Sequence, residues 1–175
     1  MGSKVKEEAM RNLIMIENPD IMLVQETKLE ENDFLQSSKK FWNKGGTKAV
    51  SARGASGGLG MLWNASKFSL VAEKQNTHWM LTKFQHQDSK EIFTLFNVYA
   101  PVNAGEKKFC WDSLRDMADG EELENIIIAG DLNITLSQGE KRGGCIVRYP
   151  AHEWVEDLIQ DWDLLDLKPS RGKYT

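Results

Sequence analysis

The sequence has few cysteines and no long apolar run. Its only cysteines, Cys110 and Cys145, lie far apart, with no Cys or His at the spacing of metal ligands. They are predicted to be reduced thiols, so nothing here requires an oxidising compartment. No apolar run approaches the length of a membrane span and no signal peptide is visible, so no membrane partner is expected.

An excess of positive charge is also missing. The net charge is -4 and the pI is about 5.5, which argues against a strongly basic nucleic-acid binder. It leaves open an enzyme whose bound metal attracts phosphate locally. The 175 residues, 41% of them hydrophobic, predict one globular domain with a sizeable core; they do not indicate an oligomeric state.

The most informative stretch is a short apolar run followed by two polar residues. Ile126–Ala129 predicts a strand buried on both faces, and Gly130 permits a tight turn. Asp131 and Asn133 follow, and their spacing puts both side chains on one side if the chain stays extended. Such a pair can polarise a water, hold a metal or position a phosphate. An ordinary turn explains the same residues about equally well.

A second apolar run repeats this arrangement. Ile21–Val24 predicts another buried strand, and Glu26 stands just past its carboxyl end. Two acidic residues beyond buried strands suit a divalent-metal site at the mouth of a sheet. Taken alone, Glu26 is better explained as a solvated turn residue.

The remaining pattern is rich in strands. Apolar spacing predicts helices at 4–17, 105–119 and 151–161, while residues 32–56 look irregular. His78 and His86 flank one predicted strand without shared ligand spacing and are expected to be structural or exposed. An antiparallel meander is predicted from Gly57–Trp63, Ser69–Lys74, Trp79–His86 and Glu91–Tyr99.

Several further residues are candidates for contacts to phosphate. Tyr99 stands at a strand end because Pro101 breaks the strand, and its phenol suits a phosphate oxygen, although a core tyrosine explains it better in isolation. Lys44 and Arg53 lie among aromatic residues and glycines, and Arg142 lies in a later charged loop. Basic and aromatic residues together suit a nucleic-acid backbone, whereas a solvated loop is the commoner explanation.

Five short motifs then occur in order along almost the whole chain. Each is weak alone, but together they are specific. The set resembles the endonuclease/exonuclease/phosphatase superfamily and looks closest to the endonuclease domain of plant long-interspersed-element (non-LTR) retrotransposons. The motifs are Pro19-Asp20-Ile21, Gln25-Glu26-Thr27-Lys28, Gly57-Gly58-Leu59-Gly60, Asn97-Val98-Tyr99-Ala100-Pro101 and Gly130-Asp131-Leu132-Asn133.

This resemblance implies a fold, an activity and a set of roles. The implied fold is a four-layered α/β sandwich, and the implied activity is phosphodiester hydrolysis that nicks DNA with Mg2+ or Mn2+. Glu26 would bind the metal, Tyr99 would contact the scissile phosphate, Asp131 would activate water and Asn133 would position it. Asn97, in the same motifs, is a further candidate for substrate binding. The implied setting is intracellular, with the nucleus as one option.

The sequence also departs from the family pattern. The family's first strand, with its metal-binding Asn, and its closing Ser-Asp-His segment have no counterpart here. We therefore expect residues 1–175 to be a single domain that is incomplete at both ends, with weak metal affinity. Three hypotheses stay open: a truncated DNA-nicking enzyme, an inactive retrotransposon-derived remnant or weak binding module, and a phosphatase of the same superfamily.

Overall fold

The computed structural model describes residues 4–54, 56–134 and 151–167. The chain forms two compact units, one of Met1–Tyr99 with Leu123–Asp131 and one of Ala100–Glu122 with Leu132–Thr175. Among the described residues no helix is both long and apolar enough to cross a membrane. The elements in chain order are α1 (Lys4–Glu17), β1 (Ile21–Gln25), α2 (Glu31–Ser38), β2 (Gly45–Val50), β3 (Leu59–Asn64), β4 (Phe68–Gln75), β5 (Trp79–His86), β6 (Ile92–Tyr99), α3 (Ala104–Asp119), β7 (Ile126–Asp131) and α4 (Ala151–Asp161).

The first unit contains two β-sheets. One has three antiparallel strands in the order β1-β3-β2, and the other has four strands in the order β4-β5-β6-β7. Strands β4, β5 and β6 form the predicted antiparallel meander, while β7 pairs parallel to β6. The predicted meander was wrong in one respect, because β3 belongs to the other sheet. Two sheets with helices confirm the mixed α/β fold class.

The two sheets share a hydrophobic core. Residues two positions apart in β1, β3, β4 and β6 point into this core, as a sandwich requires. Trp63 of the first sheet packs on Phe84 of the second, with ring centroids 5.3 Å apart. Phe68 and Phe93 extend this aromatic cluster. The buried residues of this cluster are Val50, Leu59, Met61, Trp63, Met80, Phe84 and Leu95.

Helices α1 and α2 cover the opposite face of the three-stranded sheet. Phe34 of α2 is buried against Leu62, and Met10 and Ile14 of α1 pack on the same cluster. Gly60 makes this close approach possible, since a Cβ there would lie 2.2 Å from Cζ of Phe34. The expectation that residues 32–56 are irregular was wrong, because α2 and β2 lie there. Packing of apolar faces overrides the weak local propensities of these two short elements.

The predicted burial of two strands was also wrong. Strand β1 is half-buried along its length, and Ile127 of β7 is 47% exposed. Within the described residues both strands lie at sheet edges. A continuous apolar run therefore located Ile21–Val24 and Ile126–Ala129 as strands, but it did not distinguish an edge strand from a central one.

The second unit is built around α3 and α4. The side chain of Asn103 caps α3 by accepting hydrogen bonds from the backbone N–H groups of Gly105 and Glu106, at 2.9 and 3.2 Å. Cys110 is a buried free thiol, and burial raises its pKa to about 12. Lys108 of α3 stacks on the ring of Trp154 of α4 at 5.3 Å. Both helices agree with the sequence prediction to within a residue.

Candidate active site

The loop that follows β1 turns Glu26 outward. Glu26 and Lys28 both have left-handed backbone conformations, with φ of 49° and 56°. Buried Thr27 lies between them, and its N–H donates to the carbonyl of Gly58 at 3.2 Å. A Cβ on Gly58 would lie 2.3 Å from Oγ1 of Thr27. The Gly57-Gly58-Leu59-Gly60 motif thus lets this segment dock against the Gln25–Lys28 loop, and unusual backbone of this kind is common at functional sites.

Glu26 is hydrogen-bonded to Tyr99. The Tyr99 hydroxyl donates to Oε1 of Glu26 at 2.5 Å, which joins the carboxyl end of β1 to that of β6. This hydrogen bond, then burial, and then the negative charges of Glu26 and Asp131 raise the pKa of Tyr99 to about 12. The phenol is therefore neutral at physiological pH and acts as a hydrogen-bond donor.

Asp131 lies beside this pair. It is in parallel register with Tyr99, and the preceding pair is Gly130 with Val98. Gly130 has a φ of 132°, and a Cβ there would lie only 2.1 Å from the carbonyl oxygen of Val98. Glycine is thus required where β7 approaches β6. The structure brings together Glu26, Tyr99 and Asp131, as their positions after predicted strands suggested.

Asn97 is fully buried between the two sheets. Its Nδ2 donates to the carbonyl of Gly60 at 2.9 Å, and its Oδ1 accepts from Nε2 of Gln25 at 2.6 Å. Gln25 directly precedes Glu26, so this amide ties the end of β1 to β6. The geometry favours a positioning role for Asn97 over the direct substrate contact expected from the motif.

Lys44 and Arg53, the two predicted basic contacts that the structure describes, lie in different places. Nζ of Lys44 donates to Oδ1 of Asn18 and to the carbonyl of Pro19, both at 2.7 Å, before β1 begins. Since β1 spans roughly 16 Å, Lys44 lies at the end of the sheet away from Glu26. Arg53 is exposed. The N–H of the preceding residue, Ala52, donates to the carbonyl of Leu29 at 2.9 Å, so Arg53 lies on the Glu26 side of the first sheet. Arg142 lies outside the described residues.

Asn133 belongs to the second unit. Its φ is 48°, so the chain is not extended at this position. The expectation that the side chains of Asp131 and Asn133 lie on one side required an extended chain. Its Nδ2 donates to the carbonyl of Ala100 at 2.7 Å, and its own carbonyl accepts from Nζ of Lys107 at 2.5 Å. Lys107 is buried. Backbone and side chain of Asn133 are therefore both anchored within this unit.

Sequence reasoning did not single out Lys28 or Gln25. Nζ of Lys28 lies 4.0 Å from Oε2 of Glu26, and Gln25 holds Asn97 as described above. Both residues flank Glu26 in the Gln25-Glu26-Thr27-Lys28 motif, which is the only sequence signal for them.

Glu26 and Asp131 supply the donor chemistry of a hard cation. Both are exposed carboxylates, and Mg2+ is commonly held by one or two carboxylates together with waters and substrate phosphate. The described residues contain no group of three or more His, Cys, Asp or Glu side chains able to surround an ion. This donor set is compatible with Mg2+ or Mn2+.

The sequence matches the model of the Endonuclease/Exonuclease/phosphatase family over residues 3–172. The chain belongs to this family. Its members include nucleases, phosphodiesterases and phosphatases, and they typically use divalent metals. The endonuclease/exonuclease/phosphatase fold thus accounts for the two sheets described above.

Solved structures give the same assignment of fold. An endonuclease/exonuclease/phosphatase from Bacteroides vulgatus has a TM-score of 0.63 at 12% identity, covering 86% of this chain and 62% of that one. The AP endonuclease of Leishmania major scores 0.60 at 17% identity, with coverages of 90% and 61%. D. rerio TDP2, solved with a single-strand DNA product, scores 0.55 at 15% identity, with coverages of 74% and 54%. The chain spans about three-fifths of the length of such structures.

Proposed function

We propose that this chain carries the catalytic site of a divalent-metal-dependent phosphodiesterase that nicks DNA. The observation that carries this proposal is the cluster of Glu26, Tyr99 and Asp131, in which one phenol is hydrogen-bonded to one carboxylate and in register with another. Family membership supports hydrolysis of a phosphate ester. The motif order supports, more narrowly, an origin in the endonuclease of a long-interspersed-element retrotransposon.

Each residue has one proposed role. Asp131 accepts a proton from the attacking water as the water oxygen bonds to phosphorus. The bond from phosphorus to the leaving oxygen breaks, and the alkoxide so formed takes a proton from solvent. Tyr99 keeps its proton and, when substrate binds, turns its single O–H from Oε1 of Glu26 to a non-bridging oxygen of the phosphate. Asn133 is assigned the positioning of water from its motif alone. Asn97 acts indirectly, through Gln25 and the end of β1.

Glu26 is the proposed metal ligand. Its Oε1 accepts from Tyr99, which leaves Oε2 facing Lys28 at 4.0 Å. A bound Mg2+ or Mn2+ would offset the charge that develops on the phosphate. Because the described carboxylates are few and Lys28 is cationic, we expect weak binding of the free ion, strengthened when substrate phosphate supplies further ligands.

DNA is the proposed substrate for two reasons. The similar protein from D. rerio was solved with a single-strand DNA product, and the one from Leishmania major is named an AP endonuclease. Arg53 also presents a cation on the Glu26 side of the first sheet. Arg142, outside the described residues, stays a prediction for the same role.

Nicking of supercoiled plasmid in Mg2+ or Mn2+ tests this function. We expect Asp131→Asn to lower the nicking rate about 10^2- to 10^4-fold, the usual contribution of a positioned base. Asp88→Asn is the matched control, because Asp88 is an exposed carboxylate in the β5–β6 turn at the other end of the sheet. Equal rates for the unaltered chain and Asp131→Asn would contradict the proposal.

A non-catalytic DNA-binding module is the second candidate. It is favoured by the small number of carboxylates grouped among the described residues. Retention of plasmid in a binding assay, with no nicking in either metal, would support this alternative over the enzyme.

A further inference from the structure

We propose that His78 contacts the scissile or a neighbouring phosphate in the same site, a role that its sequence context does not indicate. This inference rests on the proposed function. It starts from the hydrogen bond between the N–H of Tyr99 and the carbonyl of His78, at 2.7 Å. His78 therefore lies directly across from the tyrosine of the candidate site.

The strand register supports this position. Trp79 pairs with Val98 and Met80 with Asn97 in the antiparallel β5–β6 ladder. The next pair in that register is His78 with Tyr99, and their backbone hydrogen bond extends the ladder by one step. Tyr99 is in turn in register with Asp131 on its other side. His78, Tyr99 and Asp131 thus form a row across three adjacent strands.

Alternation along β5 gives the direction of the imidazole. Met80 and Phe84 are buried in the core between the sheets, and Oγ1 of Thr82 lies 3.1 Å from Sδ of Met61 on the facing sheet. Side chains two residues apart share a face. His78, two residues before Met80, is therefore directed to the face from which Tyr99 reaches Glu26.

A short loop fixes the backbone of His78. Oδ1 of Asn76 accepts from the N–H groups of His78 and Trp79, at 2.7 and 2.9 Å. The N–H of Asn76 donates back to the carbonyl of Trp79 at 2.9 Å. The backbone of the partly buried histidine is thus held in place before substrate binds, which lowers the entropic cost of a contact.

The negative charge of the site favours a further hydrogen-bond donor to phosphate, which the imidazole of His78 can supply. Glu26 and Asp131 are both anionic and oppose the approach of a phosphate, whereas Tyr99 offers a single hydrogen. An imidazole has an N–H donor in either charge state. A donor beside Tyr99 would bind a second phosphate oxygen and offset part of this repulsion.

Two measurements test the proposal. We expect His78→Leu, which removes the donor, to lower kcat/KM for plasmid nicking about 10- to 100-fold, as for loss of a hydrogen bond to a charged group. His86→Leu, at the other end of β5, should have no such effect. The second measurement uses the unaltered chain in EDTA, so that DNA is not cut. The imidazole resonances of His78 and His86 are followed by NMR during titration with a short DNA duplex, and only that of His78 should shift.

The outcomes separate this inference from the proposed function. Nicking that needs Asp131 but not His78, with no shift at His78, overturns the inference and keeps the function. A shift at His78 without nicking supports the phosphate contact and overturns the enzyme. Absence of both nicking and the shift overturns both. If His78→Leu does not fold, the NMR titration of the unaltered chain decides whether His78 contacts the phosphate.

Discussion

Tyr99 links the electrostatics of the site to its geometry. Its pKa is raised to about 12 chiefly by the hydrogen bond to Glu26. The folded-state pKa is above the ordinary value of 10.0, so the folded chain holds this proton more tightly than the unfolded chain. The stability contributed by this hydrogen bond is complete below pH 10 and is lost as the pH rises towards 12.

A spectrophotometric titration of tyrosine ionisation checks this pKa. In the unaltered chain Tyr99 should ionise later than the other two tyrosines, Tyr149 and Tyr174. Glu26→Gln removes the charged acceptor and should lower the late pKa towards 10, while Glu73→Gln, at an exposed carboxylate paired with Lys48, should not. A late-ionising tyrosine that persists in Glu26→Gln would show that burial, not the carboxylate, raises the pKa.

At the scale of elements, the pairing of β6 and β7 depends on one glycine. A Cβ on Gly130 would meet the carbonyl oxygen of Val98 at 2.1 Å, and the φ of 132° is itself unfavourable for other residues. We expect Gly130→Ala to lower the free energy of unfolding by about 2 to 4 kcal/mol, through overpacking and backbone strain together. The same change would displace Asp131 and reduce nicking.

Gly54→Ala is the control for that substitution. Gly54 also has a positive φ, of 61°, but a Cβ added there would meet no atom within 4 Å. The substitution should therefore cost only the conformational strain, on the order of 1 kcal/mol. Urea unfolding of both variants gives the comparison, and equal losses would show that contact with Val98 does not matter.

Local patterns in the sequence were enough to locate most of the elements. Strand β5 has the predicted bounds, and α1 and α3 were recognised from apolar spacing. Helix α2 was missed because it is short, and its N-cap residue, Glu30, makes no side-chain capping hydrogen bond. Its stability comes from Phe34 packing over Gly60, a contact between distant positions that no local pattern reveals.

Part of the candidate site was also predictable from local patterns in the sequence. Glu26, Tyr99 and Asp131 stand where strands end, and strand ends are visible in a sequence. His78 was expected to be structural or exposed because it shares no ligand spacing with His86. Its place opposite Tyr99 follows from strand register, which is a property of two paired strands. Lys44 was selected by composition, but hydrogen bonds to Asn18 and Pro19 hold it at the other end of β1.

At the scale of the whole molecule, charge limits how DNA can bind. The chain has 22 basic and 26 acidic residues, which gives the net charge of -4. A polyanion is not attracted by such a molecule as a whole, so binding depends on a few local cations and on the metal. Each phosphate neutralised by a basic side chain releases counterions, and the salt dependence of binding counts these contacts.

Arg53 should make one of the phosphate contacts that the salt dependence of DNA binding counts. We expect Arg53→Gln to reduce the slope of log K against log salt concentration by about 0.9, the value for one phosphate contact on duplex DNA. Lys44→Gln removes the same charge at the far end of β1 and should leave the slope unchanged. Fluorescence anisotropy with a labelled duplex at several salt concentrations provides the measurement. Equal slopes for Arg53→Gln and the unaltered chain would place the DNA path elsewhere, because charge lost from the path must lower the number of counterions released.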